Sequence, residues 1–145
     1  MLTGGPLVTE GPGLLVMDVD STLIEQEVIE LIAERAGTRE QVAEVTARAM
    51  RGELDFAASL RERVATLTGV PEEVFAEVLA EVRPTPGAVG LIETLHARGC
   101  RVGIVSGGFE EVVAPLAERL DIDHVAANRL EVITKIGRAS CRERV

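Results

Sequence analysis

Asp18 and Asp20 stand two residues apart in the stretch Leu14-Leu15-Val16-Met17-Asp18-Val19-Asp20-Ser21-Thr22, and two hydroxyls follow them. Carboxylates this close repel unless a cation lies between them, and a hard divalent ion such as Mg²⁺ does that well. Ser21 and Thr22, with the N–H groups of the turn, offer a place for an anion beside such a metal. A carboxylate, a metal and an anion pocket together suit phosphoryl transfer to aspartate. The same residues also read as a helix cap, since Asp-Ser-Thr ahead of an apolar, acid-rich segment caps helices widely. A second group is Ser106-Gly107-Gly108-Phe109, read as lying between a strand and a helix. A hydroxyl and glycine-freed N–H groups at a helix N-terminus make a phosphate cradle, although an ordinary strand–helix turn uses the same residues. Its pairing with Asp18 and Asp20 at one sheet end favours the cradle. His96 and His124 fit no metal spacing with each other or with Cys100 and Cys141. His96 reads as a helix-surface residue and Cys100 as a buried small residue at a strand start.

These groups need elements to carry them. Leu14 to Met17 is a short apolar run, expected to be a strand buried on both faces. Alternation along it sends Asp18 and Asp20 to the same side of its C-terminal end, where open α/β sheets bind their ligands. Glu25 to Ala36 reads as a helix with Val28, Ile29, Leu31 and Ile32 on one stripe, ended by Gly37. Further helices are expected at about 39–51, 55–67 and 71–81, punctuated by Gly52, Gly69 and Pro71. Four helices in a row do not belong inside a βαβ alternation, so they read as an inserted helical cap. Pro84-Thr85-Pro86-Gly87 marks the return, followed by a helix at about 87–98 with Ala88, Leu91, Ile92 and Leu95 inward. Arg101 to Val105 is the next buried strand, and a helix to about Leu120 follows the cradle. A third short strand is expected within 121–126, and Arg129 to Ile133 reads as one hairpin arm whose other arm is missing.

A chain of 145 residues is one domain's worth, with aliphatic core material but only three Phe and no Trp or Tyr. The net charge of −9 argues against nucleic-acid and anionic-membrane partners. An acidic chain that handles phosphate needs local cations, which again favours a metal. No run is long enough to span a bilayer and no signal peptide is recognisable. Two cysteines make no disulfide framework, so a reduced, cytoplasmic setting is expected. The last eleven residues, Lys135 to Val145, hold the only lysine and a sudden arginine excess. Without them residues 1–134 carry 11 basic against 23 acidic side chains, a net of −12. This tail resembles the conceptual translation of a sequencing adapter joined to a broken gene, and as a non-native tail it is kept out of the fold reading. The expected layout is a flexible leader at 1–13, a core at 14–22 and 84–134, and the cap at 23–83.

Asp18-Val19-Asp20-Ser21-Thr22 resembles the first motif of the haloacid dehalogenase superfamily. Ser106-Gly107-Gly108-Phe109 is similar to its second motif, in the form typical of the phosphoserine phosphatase branch. The resemblance covers residues of about 14–134, the first two-thirds or so of that branch's catalytic domain. It implies an α/β fold: an incomplete Rossmann-like core with a parallel sheet and a helical-bundle cap. It further implies that Asp18 is the nucleophile and Asp20 the acid–base, with the Asp18 side chain and the Asp20 carbonyl on Mg²⁺. Ser106 and Gly107 would hold the phosphoryl oxygens. Glu27 would pair with a substrate ammonium, Arg63 with its carboxylate, and Met50 and Phe56 would line the pocket. Taken alone, Glu27 would be a solvated helix residue, Arg63 a surface pair partner, and Met50 and Phe56 core. The implied reaction is hydrolysis of O-phospho-L-serine to L-serine and phosphate through an aspartyl-phosphate, the last step of serine biosynthesis. The alternatives are another small phosphomonoester, or a non-catalytic metal- or anion-binding remnant. A receiver-type phosphoacceptor predicts no helical insertion after the first strand, and residues 25–81 speak against it. The lysine of the family's third motif and the Gly-Asp-Gly segment of its fourth do not occur, so little activity is expected from these residues alone. The strand bearing the fourth motif would lie beside Leu14–Met17, so that edge is expected to be open. Oligomeric state is not legible.

Overall fold

The computed structural model describes residues 4–133 and 135–140. A single helical turn, α1 (Pro6–Thr9), precedes β1 (Leu14–Met17). Four helices follow before the next strand: α2 (Val28–Ala36), α3 (Arg39–Met50), α4 (Phe56–Ala65) and α5 (Val74–Glu81). The chain then continues through α6 (Ala88–Ala97), β2 (Arg101–Phe109), α7 (Glu110–Arg119), β3 (His124–Ile133) and β4 (Lys135–Ser140). The sheet order is β1-β2-β3-β4, with the first three strands parallel and β4 antiparallel to β3. No helix among the described residues is long and apolar enough to cross a membrane.

The steps from β1 to β2 and from β2 to β3 run the same way across the sheet. Right-handed crossovers therefore put α6 and α7 on one face. Val102 and Ile104 of β2 are buried on that face, under Ile92 and Leu95 of α6 and Val112, Val113 and Leu116 of α7. Leu15 and Met17 of β1 pack against the same core. The opposite face is bare: Leu14, Val16 and Val105 are 50%, 52% and 55% exposed. This corrects the expectation that β1 is buried on both faces. Apolar residues state a preference for burial, but only a second helical layer could satisfy it, and none covers this face among the described residues. β1 also has β2 on one side and no strand on the other among those residues, leaving the open edge anticipated from the sequence.

The helical insertion has a two-stranded neck. Ile24 bridges Pro84, the Glu25 N–H donates to the Arg83 carbonyl at 3.0 Å, and the Thr85 hydroxyl donates to the Thr22 carbonyl at 2.7 Å. These contacts hold residues 24 and 25 in the neck and keep 24–27 out of the helix, so α2 starts at Val28 rather than Glu25. Its stripe of Val28, Ile29, Leu31 and Ile32 is buried, and Gly37 ends it at φ 71°. α4 is capped by Asp55, whose Oδ1 accepts the Ala58 N–H at 2.7 Å. α5 packs on both α2 and α7, so the insertion and the sheet helices share one apolar core.

Two further expectations are corrected. Leu91 is 47% exposed, because α6 meets the sheet along the narrow line of Ile92 and Leu95. The second hairpin arm is present: Arg129 to Ile133 pair antiparallel with Lys135 to Ser140. Ladder pairing is a backbone property, and an open strand edge accepts any extended segment that reaches it.

Candidate active site

β1 stops at Met17 and Asp18 continues it in extended conformation. The chain then turns tightly over Val19 to Leu23, with Val19 and Leu23 buried as anchors. Ser21 sits at φ 52°, a left-handed conformation unusual outside glycine. Two hydrogen bonds hold it there: its N–H donates to the Gln26 carbonyl at 3.1 Å, and its hydroxyl to Glu27 Oε1 at 2.6 Å. The Ser21 hydroxyl that the sequence offered to an anion is thus engaged in orienting Glu27.

Asp20 unites the two readings the sequence left open. Its Oδ1 accepts the Val28 N–H at 2.8 Å and so serves the first turn of α2 as a cap would. Its Oδ2 faces the cradle, close enough to Gly108 that a Cβ there would come within 3.1 Å of it, and the Ser106 side chain lies near enough to act on the carboxylate. Burial pushes the Asp20 pKa up to about 6, and the negative charges of Glu27 and Asp18 add to that. The Val28 N–H and the Ser106 hydroxyl pull the other way without prevailing.

Asp18 and Asp20 line a cleft of about 350 Å³. Glu27, from the segment entering α2, and Phe56 and Arg63, from α4, line the same cleft, with Ile29 and Leu60 as apolar wall. Gly107, Gly108 and Phe109 of β2 complete it. Both glycines sit at close approaches. A Cβ at Gly107 would come 3.2 Å from the Phe56 ring, and one at Gly108 would come 3.0 Å from Ser106 Oγ and 3.1 Å from Asp20 Oδ2.

Arg63 is half-buried, its Nε makes one long bond of 3.4 Å to the Ser59 carbonyl, and no carboxylate lies within ion-pair distance of it among the described residues. Burial lowers its pKa, while the more distant charges of Glu27 and Asp20 oppose that shift. A planar cation held in a cleft with no ion-pair partner among the described residues has terminal N–H groups of the geometry that can take a carboxylate in two parallel bonds.

The structure therefore brings Asp18, Asp20, Glu27, Phe56, Arg63 and Gly107 to one cleft, with Ser106 buried next to the cradle glycines outside the lining. It does not bring Met50, which lies at the end of α3, 86% exposed and outside the lining. Ile29 and Leu60 were missed as lining residues because each also fits its helix's buried stripe. As for a metal, Asp18 and Asp20 supply oxygen donors of the kind a hard cation takes. Among the described residues no group of three or more His, Cys, Asp or Glu is placed to hold one, so these residues fit part of a coordination shell.

A phosphoserine phosphatase from Lactococcus lactis subsp. lactis (strain IL1403) is 61% identical to this chain over 120 residues, which are 83% of this chain and 56% of that protein. A solved structure of a substrate-bound phosphoserine phosphatase complex matches with a TM-score of 0.82 at 40% identity, over 89% of this chain and 62% of that one. A second, a phospho-aspartyl intermediate analogue of phosphoserine phosphatase, matches with a TM-score of 0.79 at 41% identity, over 86% of this chain and 60% of that one. The chain thus spans little more than half the length of these relatives. The sequence profile of haloacid dehalogenase-like hydrolases matches residues 15–142, the same stretch that carries the acid pair, the helical insertion and the glycine cradle, and the chain belongs to that family.

Proposed function

We propose that this chain carries the nucleophile, the acid–base and the substrate-gripping residues of a phosphoserine phosphatase, an enzyme hydrolysing O-phospho-L-serine to L-serine and phosphate. The observation that carries the reading is the content of one cleft: an acid pair and a glycine cradle from the sheet, with Glu27 and Arg63, a guanidinium without an ion-pair partner among the described residues, from the insertion. That distribution fits a small molecule with a phosphate at one end and an α-amino acid at the other.

In this reading Asp18 attacks phosphorus, the P–O bond to serine breaks, and an aspartyl-phosphate forms. Asp20 gives its proton to the departing serine oxygen, then takes one from the water that hydrolyses the intermediate. A carboxyl with a pKa near 6 holds a proton well enough for the first task and releases it readily enough for the second. Ser106 and the Gly107 N–H would hold phosphoryl oxygens. Glu27 would meet the ammonium and Arg63 the carboxylate, with Phe56 closing over them. The Asp18 carboxylate and the Asp20 carbonyl would hold Mg²⁺, which when bound offsets charge on the phosphoryl group and the two acids. Residues 23–83 would form a cap over a core of 14–22 and 84–134, excluding water when closed. A role in serine biosynthesis in the cytoplasm goes with this reading, as does the expectation that these 145 residues bind ligand with little turnover.

Calorimetric titration with Mg²⁺ present tests it. O-phospho-L-serine should bind about tenfold tighter than phosphoethanolamine, which lacks the carboxylate, and Arg63→Ala should abolish that preference. Equal affinity for the two compounds, or a preference that survives Arg63→Ala, would contradict the assignment.

A further inference from the structure

β2 and β3 pair in simple parallel register as far as Val105 opposite Ala126, and pairing resumes with Phe109 opposite Asn128. β2 advances four residues while β3 advances two, so Ser106, Gly107 and Gly108 bulge out of the ladder. A bulge leaves backbone groups without ladder partners, and each needs another. Asn128 supplies one, because its Nδ2 donates to the Gly107 carbonyl at 2.9 Å. That carbonyl and the Gly108 N–H belong to one planar peptide unit. The Gly108 N–H donates in turn to Ser106 Oγ at 2.9 Å, and Ser106 is buried. The peptide is thus pinned at both ends, by Asn128 on its oxygen and by Ser106 on its nitrogen. That bond commits one lone pair of Oγ and so restricts the directions left to the Ser106 hydroxyl beside Asp20.

The next two residues of β3 reinforce the attachment. Arg129 makes two bonds to the Glu110 carboxylate, at 2.8 and 2.9 Å, and the Leu130 N–H donates to Glu111 Oε1 at 3.0 Å. Three consecutive residues of β3 therefore brace the cradle and the first turn of α7.

We infer that Asn128 is a positioning residue for the phosphate cradle: its amide fixes the Gly107–Gly108 peptide plane and, through it, the direction of the Ser106 hydroxyl. The inference rests on the reading of Ser106 and Gly107 as phosphate-holding groups. The side-chain type matters. An aspartate here is the same shape but presents acceptors only, and would repel the Gly107 oxygen. An alanine leaves that oxygen to water and the plane free to rotate.

The test uses the 145-residue chain with two independent readouts, in wild type, Asn128→Asp and Asn128→Ala. Amide hydrogen exchange should show the Gly108 N–H exchanging about tenfold or more faster in both variants, while Val102 and Ile104 in the middle of β2 keep wild-type protection. Inorganic phosphate, titrated with Mg²⁺ present, should bind about tenfold more weakly to both variants. Unchanged Gly108 exchange would overturn the inference. So would a loss of protection shared equally by Val102 and Ile104, which would make Asn128 a general stabiliser of the strand. If the wild-type chain binds no phosphate, the reading of the cradle fails, and Gly108 exchange alone then decides whether Asn128 holds the peptide.

Discussion

Each end of the parallel sheet holds an aspartate, and the two are treated in opposite ways. At the amino end of β2, Asp123 accepts the Val102 N–H at 2.7 Å and lies 3.0 Å from His96 Nε2. The backbone bond first, and His96 second, hold its carboxyl below the usual carboxylate range. At the other end, Asp20 also accepts a backbone N–H, yet burial and its acidic neighbours push it up to about 6. One carboxylate is ionised in comfort and ties a loop to a strand. The other is kept at a cost in free energy even though it serves the first turn of α2. The arginines repeat the contrast: Arg35 is paired with Glu77 and Glu81, whereas Arg63 has no carboxylate within ion-pair distance among the described residues.

The largest effect should come from removing the charge that burial opposes. Native Asp20 holds its proton more tightly than the unfolded chain does, so its contribution to stability falls as pH rises from about 4 to about 6 and is flat above that. A shift of that size corresponds to about 3 kcal/mol before partial exposure reduces it. Asp20→Asn keeps an oxygen for the Val28 N–H and removes the charge. Urea unfolding at pH 7.5 should show it about 1–3 kcal/mol more stable than wild type, with the slope between pH 4 and 6 flattened. A destabilised Asp20→Asn would erase the distinction between the two ends of the sheet.

Gly108→Ala should cost about 1–2 kcal/mol, because the added methyl presses on Ser106 Oγ and Asp20 Oδ2. If the variant is as stable as wild type, the carboxyl end is looser than its distances say. Asp123→Asn should give the smallest change, opposite in sign to that of Asp20→Asn. The Asp123 carboxyl is stabilised as the anion, so its contribution is present above the unfolded carboxylate pKa and disappears as pH falls through the native one. Unfolding curves should show a modest loss near neutrality, weakened by salt, that vanishes in acid. A gain in stability near neutrality would mean that both ends carry strained acids.

What the sequence made legible follows from how local each signal is. The α2 stripe from Val28 to Ile32 and the stop at Gly37 depend on residues within one or two turns, and both are found as read. The start of α2 depends on Asp20 capping Val28 and on Ile24 meeting Pro84, contacts made only when the insertion closes on itself. The bare face of β1 and the outward Leu91 depend on which layers are there to pack, and apolarity cannot report that. Asp18 and Asp20 could be read as an acid pair from spacing alone. Glu27 and Arg63 could not, because one acid and one arginine on helices are ordinary until a cleft brings them together. Asn128 gave no signal, since its partner lies 21 residues away across a bulge that exists only in the paired sheet.

The decisive measurement concerns Asp18. In a chimera extending this chain with the further residues of the Lactococcus lactis relative, radiolabelled O-phosphoserine and Mg²⁺ should leave a covalent phosphate on the protein. That phosphate should resist acid quenching, be released by hydroxylamine as an acyl phosphate is, and be absent in Asp18→Asn. A hydroxylamine-labile phosphate that persists in Asp18→Asn would mean that another residue attacks phosphorus.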